Sequence, residues 1–567
     1  MLNLELAKAA EHIATHRSEF ALETKVIRGV TQRVFKNAPC ALSELLAMAT
    51  DAHGDCELLV HRGERLTYRT FSEKVETAAA ALQGVLGINP GDRLAIAMRN
   101  RVEYLIFAMA AAAVGAVVVH LNAWWTSEEL DYALSDCRAQ VVLADTERLE
   151  RLRRTKRLSD LCLVSVEEHA DAAYSFQGLL ALGQNLRHKP PSIETDDDCS
   201  IIYTSGSTGH PKGVLLTHRN IISAIWSWLM IGPVQDHLLS LSGQKTGTSD
   251  QLQPANLVTV PFFHVSGMNT CFLLSLAMGG KVVILDKWDA EQAADLIAKE
   301  RITRFWGVPT MTADLLALHE RARGRLVTLG SLDAGGAKRP PDQVRRIVET
   351  HPSIPPSTGY GMTETSGLGL RVSGAEYTAH PDAAGHLLPP LQDMQIVDED
   401  GVALAYGQVG ELVLKSPAVM RGYLNQPEAT AAALRDGWLR TGDLAKVDEN
   451  GLVFVVGRKK DIIIRGGENI SVLEVESALH DHPGVVEAAV FSVPDERLGE
   501  IVGVALHCRD SEGVELEELR AFLARRIALF KLPERLWLFF EPLARGSTEK
   551  IDRRAVRRIC LNLSFDS

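Results

Sequence analysis

Residues 203–213 read Tyr-Thr-Ser-Gly-Ser-Thr-Gly-His-Pro-Lys-Gly, with hydroxyls and glycines alternating ahead of a lysine. The segment lies between IIYT and VLLT, both strand-like, so the chain has to build a sheet that delivers two strands to the ends of one polar loop. Glycines let the backbone turn its N–H groups inward as a concave donor set for an anion. Ser and Thr hydroxyls add rotatable donors, and Lys212 adds a full charge. The result is a phosphate cradle. It is not the GxxxxGK[ST] loop that runs straight into a helix, because a strand intervenes. Thr217 then caps a helix beginning HRNIISAIW. A flexible Ser/Gly linker has no reason to sit between apolar strands.

The surroundings of the loop point to parallel sheet. Before residue 200, helical patterns such as TYRTFSEKVETAAAALQGVL and SEELDYALSD alternate with short apolar runs such as LAIAM and AQVVLAD. The same alternation returns at 256–350 with VVIL, AEQAADLIAKERI, RFWGVP and TADLLALHERA. A chain of 567 residues exceeds one core and suggests about three or four. Tyr104–Thr126 carries no Asp, Glu, Lys or Arg and is long enough to span a bilayer. Its Ala-rich half reads instead as a buried helix, broken at Gly115 before a buried strand AVVVHL. The basic run 148–158 reads as a solvated helix face, and 235–256 as an exposed polar loop.

From about 385 the pattern changes to short strands with hairpin turns (QIVDEDGVAL, GELVLKS, AKVDENGLVFVV), a smaller β-rich unit. The last 110 or so residues restart as α+β, with Ser471 and Glu474 spaced as a capping box. The boundary falls near GRKKD at 457–461. With 60 Lys plus Arg against 72 Asp plus Glu, the net charge of −12 excludes the basic field of a typical nucleic-acid binder. The eight cysteines show no CxxC spacing, as in a reduced, cytoplasmic protein, and the first twenty residues hold no secretory h-region.

The loop 203–213 resembles the signature of adenylate-forming enzymes, among them acyl-CoA synthetases, luciferases and peptide-synthetase adenylation domains. DAGGA (333–337), YGMTET (360–365), RTGD (440–443), GRKKDIIIRGGENIS (457–471) and EKIDRR (549–554) follow in the family's order. The resemblance implies an α/β fold. A large N-terminal domain (1–459) of stacked α/β subdomains plus a β-rich subdomain would carry the ATP and acyl pocket. A small mobile α+β C-terminal domain (460–567) would carry the catalytic lysine and the thioesterification face. It also implies an AMP-forming acid:CoA ligase. A carboxylate attacks the α-phosphate of ATP to give an acyl-adenylate and pyrophosphate, then the thiol of coenzyme A takes the acyl group and AMP leaves.

Carried over motif by motif, the resemblance gives each residue a role. Thr204, Ser205, Gly206, Ser207, Thr208, Gly209 and Lys212 would hold the β and γ phosphates. Tyr360 and Gly361 would meet adenine, Tyr360 by stacking, with Gly335, Gly336 and Ala337 on its other side. Thr363 would meet the α-phosphate. Thr204 and Glu364 would hold Mg²⁺, hard oxygen donors suited to it. Asp443 would accept the ribose hydroxyls, with Arg458 near the ribose or phosphates. Lys550 would neutralise charge between the attacking carboxylate and the α-phosphate. Here Thr548-Glu549-Lys550 departs from the family's Ser/Thr-Gly-Lys, restricting that turn and adding a negative neighbour. Lys460 would be the hinge, Gly466 and Gly467 would lie by the pantetheine tunnel, and Asn469 reads equally as a helix cap.

PFFHVSGMN (261–269) resembles the acyl-pocket segment, with His264 at its gate and not as a catalytic base. Met268, Trp306, Val308 and Met362 are apolar candidates for its walls. No acidic residue stands near that segment to pair with an amino group, which disfavours amino acids. A medium- or long-chain fatty acid, or a bulky hydrophobic one, fits instead. The alternatives are an acyl-AMP ligase loading a carrier protein, a luciferase-like oxidative enzyme and a non-catalytic nucleotide-binding homologue. The expected partners are small molecules: the acid, ATP and CoA. No nucleic acid and no transmembrane segment are expected. Peripheral membrane contact is compatible with a hydrophobic acid, and the oligomeric state, a homodimer included, stays open.

Overall fold

The computed structural model describes residues 2–204, 211–243, 252–322, 324–335, 338–459, 461–465, 468–495, 497–508, 514–546 and 550–563. Two large, mostly parallel sheets face each other across a layer of helices. One runs, in spatial order, Gly422–Tyr423, Lys212–Thr217, Asp198–Thr204, Val117–His120, Arg93–Ala97, Val141–Ala144, Cys162–Ser165 and Tyr174–Ser175. The other runs His386–Leu387, Gly369–Ser373, Pro356–Gly361, Ser331–Ala334, Arg304–Gly307, Ala255–Val258, Lys281–Ile284, Glu57–His61 and Glu64–Thr67. One continuous apolar cluster holds residues of both sheets, among them Ile96, Val118, Val258 and Val282.

That middle layer explains the charge-free stretch. Helix Val102–Ala113 buries every residue except Glu103, as a helix apolar all round must. Gly115 then adopts φ +74°, and the strand Val117–His120 is wholly buried. No helix among the described residues is long and apolar enough to cross a membrane. The outer faces of the sheets are covered by further helices, Ser127–Cys137 and Thr146–Leu152 on one and Ala290–Lys299 and Pro309–Ala322 on the other.

A third, antiparallel sheet (Asp393–Val397, Gly410–Lys415, Trp438–Val447, Leu434–Arg435 and Val453–Arg458) forms the β-rich unit. A fourth forms the smaller C-terminal domain: Glu468–Ser471, Ile462–Arg465, Gly499–Cys508, Val485–Asp495 and Arg535–Phe539. Near the N-terminus, hairpin Leu22–Ile27/Val30–Phe35 presents Arg28, which donates to the Met420 and Val419 carbonyls at 2.9 and 3.3 Å.

Three local expectations change. The helix capped by Thr217 runs to Leu241 through Pro233, so 235–241 is helix and not loop. It continues because Pro233 stands where the helix is only part-buried and a missing N–H is affordable in packing terms. The basic run is not uniformly solvated: Arg148 is 2% exposed, donating to Asp145 at 3.2 Å and to the Ala123 carbonyl at 2.7 Å. Ser471 caps its helix by accepting from the Glu474 N–H, but the Glu474 carboxylate turns to Lys531 at 2.6 Å instead of reaching back.

Candidate active site

Strands Arg304–Gly307, Ser331–Ala334 and Pro356–Gly361 lie side by side and parallel. Ligands of such sheets bind beyond the carboxyl ends of the strands. Those ends bring Trp306, Gly335 and Tyr360 to one place. Gly335 has to be glycine, because a Cβ there would stand 2.3 Å from Trp306 Cζ2. Gly361 likewise leaves no room, with the Gly367 carbonyl oxygen 2.5 Å from its ideal Cβ. Beneath them Asp333 is buried, accepting from Arg304 Nε at 2.8 Å and from the Ser357 and Ser331 hydroxyls.

Tyr360 donates its hydroxyl to Asp443 at 2.6 Å, and Arg458 Nε donates to the other oxygen at 3.2 Å. The two strands that carry Asp443 and Arg458 pair at that position. Burial raises the Asp443 pKa and Arg458 opposes the rise. The aromatic expected at adenine and the carboxylate expected at ribose are thus joined by one hydrogen bond.

After Gly361 the chain makes a short 3-10 turn, Thr363–Thr365, which places Glu364 inward at 7% exposure. Its carboxylate accepts from the Tyr423 hydroxyl at 2.9 Å, and its carbonyl accepts from the Met420 N–H at 2.8 Å. Burial raises the Glu364 pKa, opposed by the Tyr423 hydrogen bond and Arg458. The strands that flank the loop expected to hold phosphate are antiparallel, with Thr204 opposite Lys212. The Thr204 hydroxyl reaches the Lys212 carbonyl at 3.4 Å, and Lys212 Nζ sits 4.9 Å from the centroid of the same Tyr423 ring. Tyr423 therefore ties the loop lysine to Glu364. It escaped the sequence reading because no local spacing links it to residues 59 positions away. One carboxylate and one hydroxyl are too few for an all-protein cage, and they suit a Mg²⁺ ion that arrives with nucleotide phosphates.

His264 precedes a π-type helical stretch, Ser266–Leu273. Gly267 packs its α-carbon on Pro261, whose carbonyl oxygen lies 2.1 Å from the ideal Cβ. Burial, and then the charge of Lys550, lower the His264 pKa to about 3, so the ring is neutral at pH 7. Its Nε2 is buried and has no hydrogen-bond partner among the described residues. The charge of Lys550, in the C-terminal domain, therefore reaches the segment expected to form the acyl gate. Burial and Arg458 lower the pKa of Lys550 itself to about 8. The Gly546 N–H donates to the Lys550 carbonyl at 2.7 Å, and Arg553 anchors the following helix to Glu476 at 2.8 Å.

Met268, Trp306 and Met362 belong to the cluster between the two sheets. Val308 does not join them. It packs with Met311, Leu315 and Ile347 in the cluster on the outer face. Ser205, Gly206, Ser207, Thr208, Gly209, Gly336, Ala337, Lys460, Gly466 and Gly467, with the Asn469 side chain, lie outside the described residues.

Comparison with known proteins agrees with this geometry. Residues 46–424 match the AMP-binding enzyme family, and 474–550 match the AMP-binding enzyme C-terminal domain. The chain is 34% identical to a feruloyl-CoA synthase of Amycolatopsis over 511 residues, 88% of this chain and 94% of that protein. It is 31% identical to a long-chain-fatty-acid–CoA ligase of Mycobacterium tuberculosis, over 87% of this chain and 93% of that one. Among solved structures it resembles the O-succinylbenzoate coenzyme A synthetase of Bacillus subtilis in complex with ATP and magnesium. That match has TM-score 0.74 and 25% identity, over 90% of this chain and 99% of the other. The chain belongs to the AMP-binding enzyme family, as an acid–thiol ligase of the adenylate-forming kind that works with ATP, Mg²⁺ and coenzyme A.

Proposed function

We propose that this enzyme activates a hydrophobic carboxylic acid, a medium- or long-chain fatty acid or a bulky one, as its acyl-adenylate and transfers the acyl group to CoA. The observation that carries the reading is the position of Lys550, whose charge reaches both His264 at the acyl gate and Arg458 beside the ribose carboxylate Asp443. A cation there offsets the repulsion between a carboxylate and the α-phosphate, and it stabilises the charge that develops in the transition state. Asp443 and Tyr360 orient the nucleoside. Lys212 and the loop it closes hold the phosphates. Neutral His264 and the apolar walls keep water from the mixed anhydride. Hard oxygens at Glu364 and Thr204 would hold Mg²⁺, which supplies charge neutralisation on the phosphates. We place the domain boundary after Lys459, with Lys460 as hinge, and the enzyme in the cytoplasm.

The test is AMP release with ATP and Mg²⁺ against acids from acetate through long-chain fatty acids to aryl and sterol side-chain acids, with and without CoA. Turnover that requires one hydrophobic acid and CoA, with matching thioester, is expected. Acid-dependent pyrophosphate release without CoA-dependent turnover would move the acceptor to a carrier protein.

Tyr423→Phe isolates the link between Glu364 and Lys212. Loss of a hydrogen bond to a charged group, about 1.5 kcal/mol, should slow acid-dependent pyrophosphate exchange about tenfold. Unchanged exchange would remove Tyr423 from the nucleotide site.

A further inference from the structure

The backbone that leads to His264 is held by a side chain from the opposite sheet. Asn100 follows strand Arg93–Ala97 of the first large sheet and is 5% exposed. Its Nδ2 donates to the Val260 carbonyl at 2.9 Å, and its Oδ1 accepts from the Phe262 N–H at 2.8 Å. Val260 and Phe262 come just after strand Ala255–Val258 of the second sheet, on either side of Pro261, which has no N–H to offer. A side-chain amide presents a donor and an acceptor side by side, so Asn100 takes both groups at once, as the peptide of a neighbouring strand would.

This grip refers the 260–264 segment to the first sheet. There Arg93–Ala97 pairs with Val117–His120, which pairs with Asp198–Thr204, the strand that enters the loop expected to hold phosphate. The same sheet sends out Trp124, whose ring meets Phe263 edge-on at 5.1 Å, and Phe263 lies 4.5 Å from the His264 ring. Gly267 closes on the segment from its other end, because a Cβ there would stand 2.8 Å from the Val260 carbonyl oxygen. His264 Nε2 has no hydrogen-bond partner among the described residues. No bond of that nitrogen fixes the ring, and its place follows from the backbone that carries it.

We propose that Asn100 is a positioning residue for adenylation: it sets the 260–264 segment, and with it the acyl gate, against the strand that enters the phosphate loop, and so shields the acyl-adenylate from water. The inference rests on the acid:CoA ligase reading and adds to it the residue that holds the gate. With the segment displaced, a water oxygen bonds to the acyl carbon as the bond from that carbon to the phosphate oxygen breaks. The acid and AMP leave, the protons of the water pass to solvent, and ATP is spent without a thioester.

The test measures acid-dependent AMP release without CoA and thioester release with it. The probe acids are decanoate and cinnamate and, where neither turns over, the acid that does so in the wider panel above. In Asn100→Ala, CoA-free AMP release should rise about tenfold as a share of the CoA-dependent rate. The KM of the acid should rise by a similar factor, because two buried backbone groups lose their partner. AMP affinity, measured by calorimetry, should stay within about twofold, since the hydrogen bonds of Asn100 reach no nucleotide residue. Asn100→Asp keeps the size and the acceptor for Phe262 but cannot donate to Val260, and it should leak as well. Tyr68→Phe is the control. It removes a buried hydroxyl that donates to the Gly280 carbonyl at 2.8 Å, away from the segment, and it should not leak. If Asn100→Ala does not fold, the Asn100→Asp ratio decides on the same readout. An unchanged ratio of CoA-free to CoA-dependent release overturns the inference. So does an equal leak in Tyr68→Phe, which would assign the effect to general loosening, and both leave the ligase reading intact. No CoA-dependent AMP from any acid in the wider panel overturns that reading and the inference together.

Discussion

Replacing Lys550 by alanine should lower acyl-adenylate formation by roughly 10²–10³-fold, the size of losing one preorganised charge-stabilising group. Thioester formation from supplied acyl-adenylate should largely survive, because the α-phosphate has by then already been attacked. Pyrophosphate exchange measures the first half and thioester release the second. Equal loss in both would contradict the assignment. The pH dependence gives a second handle. Burial and Arg458 lower the Lys550 pKa to about 8, and the charged form is the useful one. Adenylation should therefore fall as pH rises through about 8, while Lys550→Arg, which does not titrate there, should flatten that limb. An alkaline limb identical in Lys550→Arg would assign it to another group.

Asp333→Ala should cost about 3–5 kcal/mol of stability, the cost of removing one partner from a buried charge pair. Burial alone would raise the Asp333 pKa, yet Arg304 and Arg371 hold it below its ordinary value, so it is ionised in the folded protein. Its carboxylate also accepts from Ser357 and Ser331, joining three adjacent strands directly below Gly335. Urea unfolding should show the loss, and AMP binding should weaken with it because Tyr360 stands at the end of the third strand. Wild-type stability in this variant would mean the arginines find other partners.

Much of this was legible in sequence because its signals are local. The loop between two strands, the cap at Thr217, the buried helix and strand around Gly115 and the hairpins after 385 each depend on neighbours a few positions away. The motif residues Tyr360, Asp443, Arg458 and Lys550 do converge on one site. What escaped depends on partners far along the chain. Tyr423 acquires its place from Glu364 and Lys212, partners that no periodicity announces. Val308 illustrates the reverse error. It stands two residues from Trp306, but alternate positions near a strand end need not share a wall once the chain turns into a helix, and it packs on the outer face.

The clasp of Arg28 on the Met420 and Val419 carbonyls spans 392 residues. During synthesis at about 5–20 residues per second, the N-terminal hairpin is finished roughly 20–80 s before its partner leaves the ribosome. Strand Glu57–His61 waits likewise for Lys281–Ile284 to give it a parallel neighbour. The nascent chain therefore carries unpaired strand edges through most of its translation, and the first four hundred residues mature together as one unit. A fragment ending near residue 250 would lack the inner partner of strand Glu57–His61, so truncation from the C-terminus should be tolerated only in the last, independently sheeted hundred residues or so.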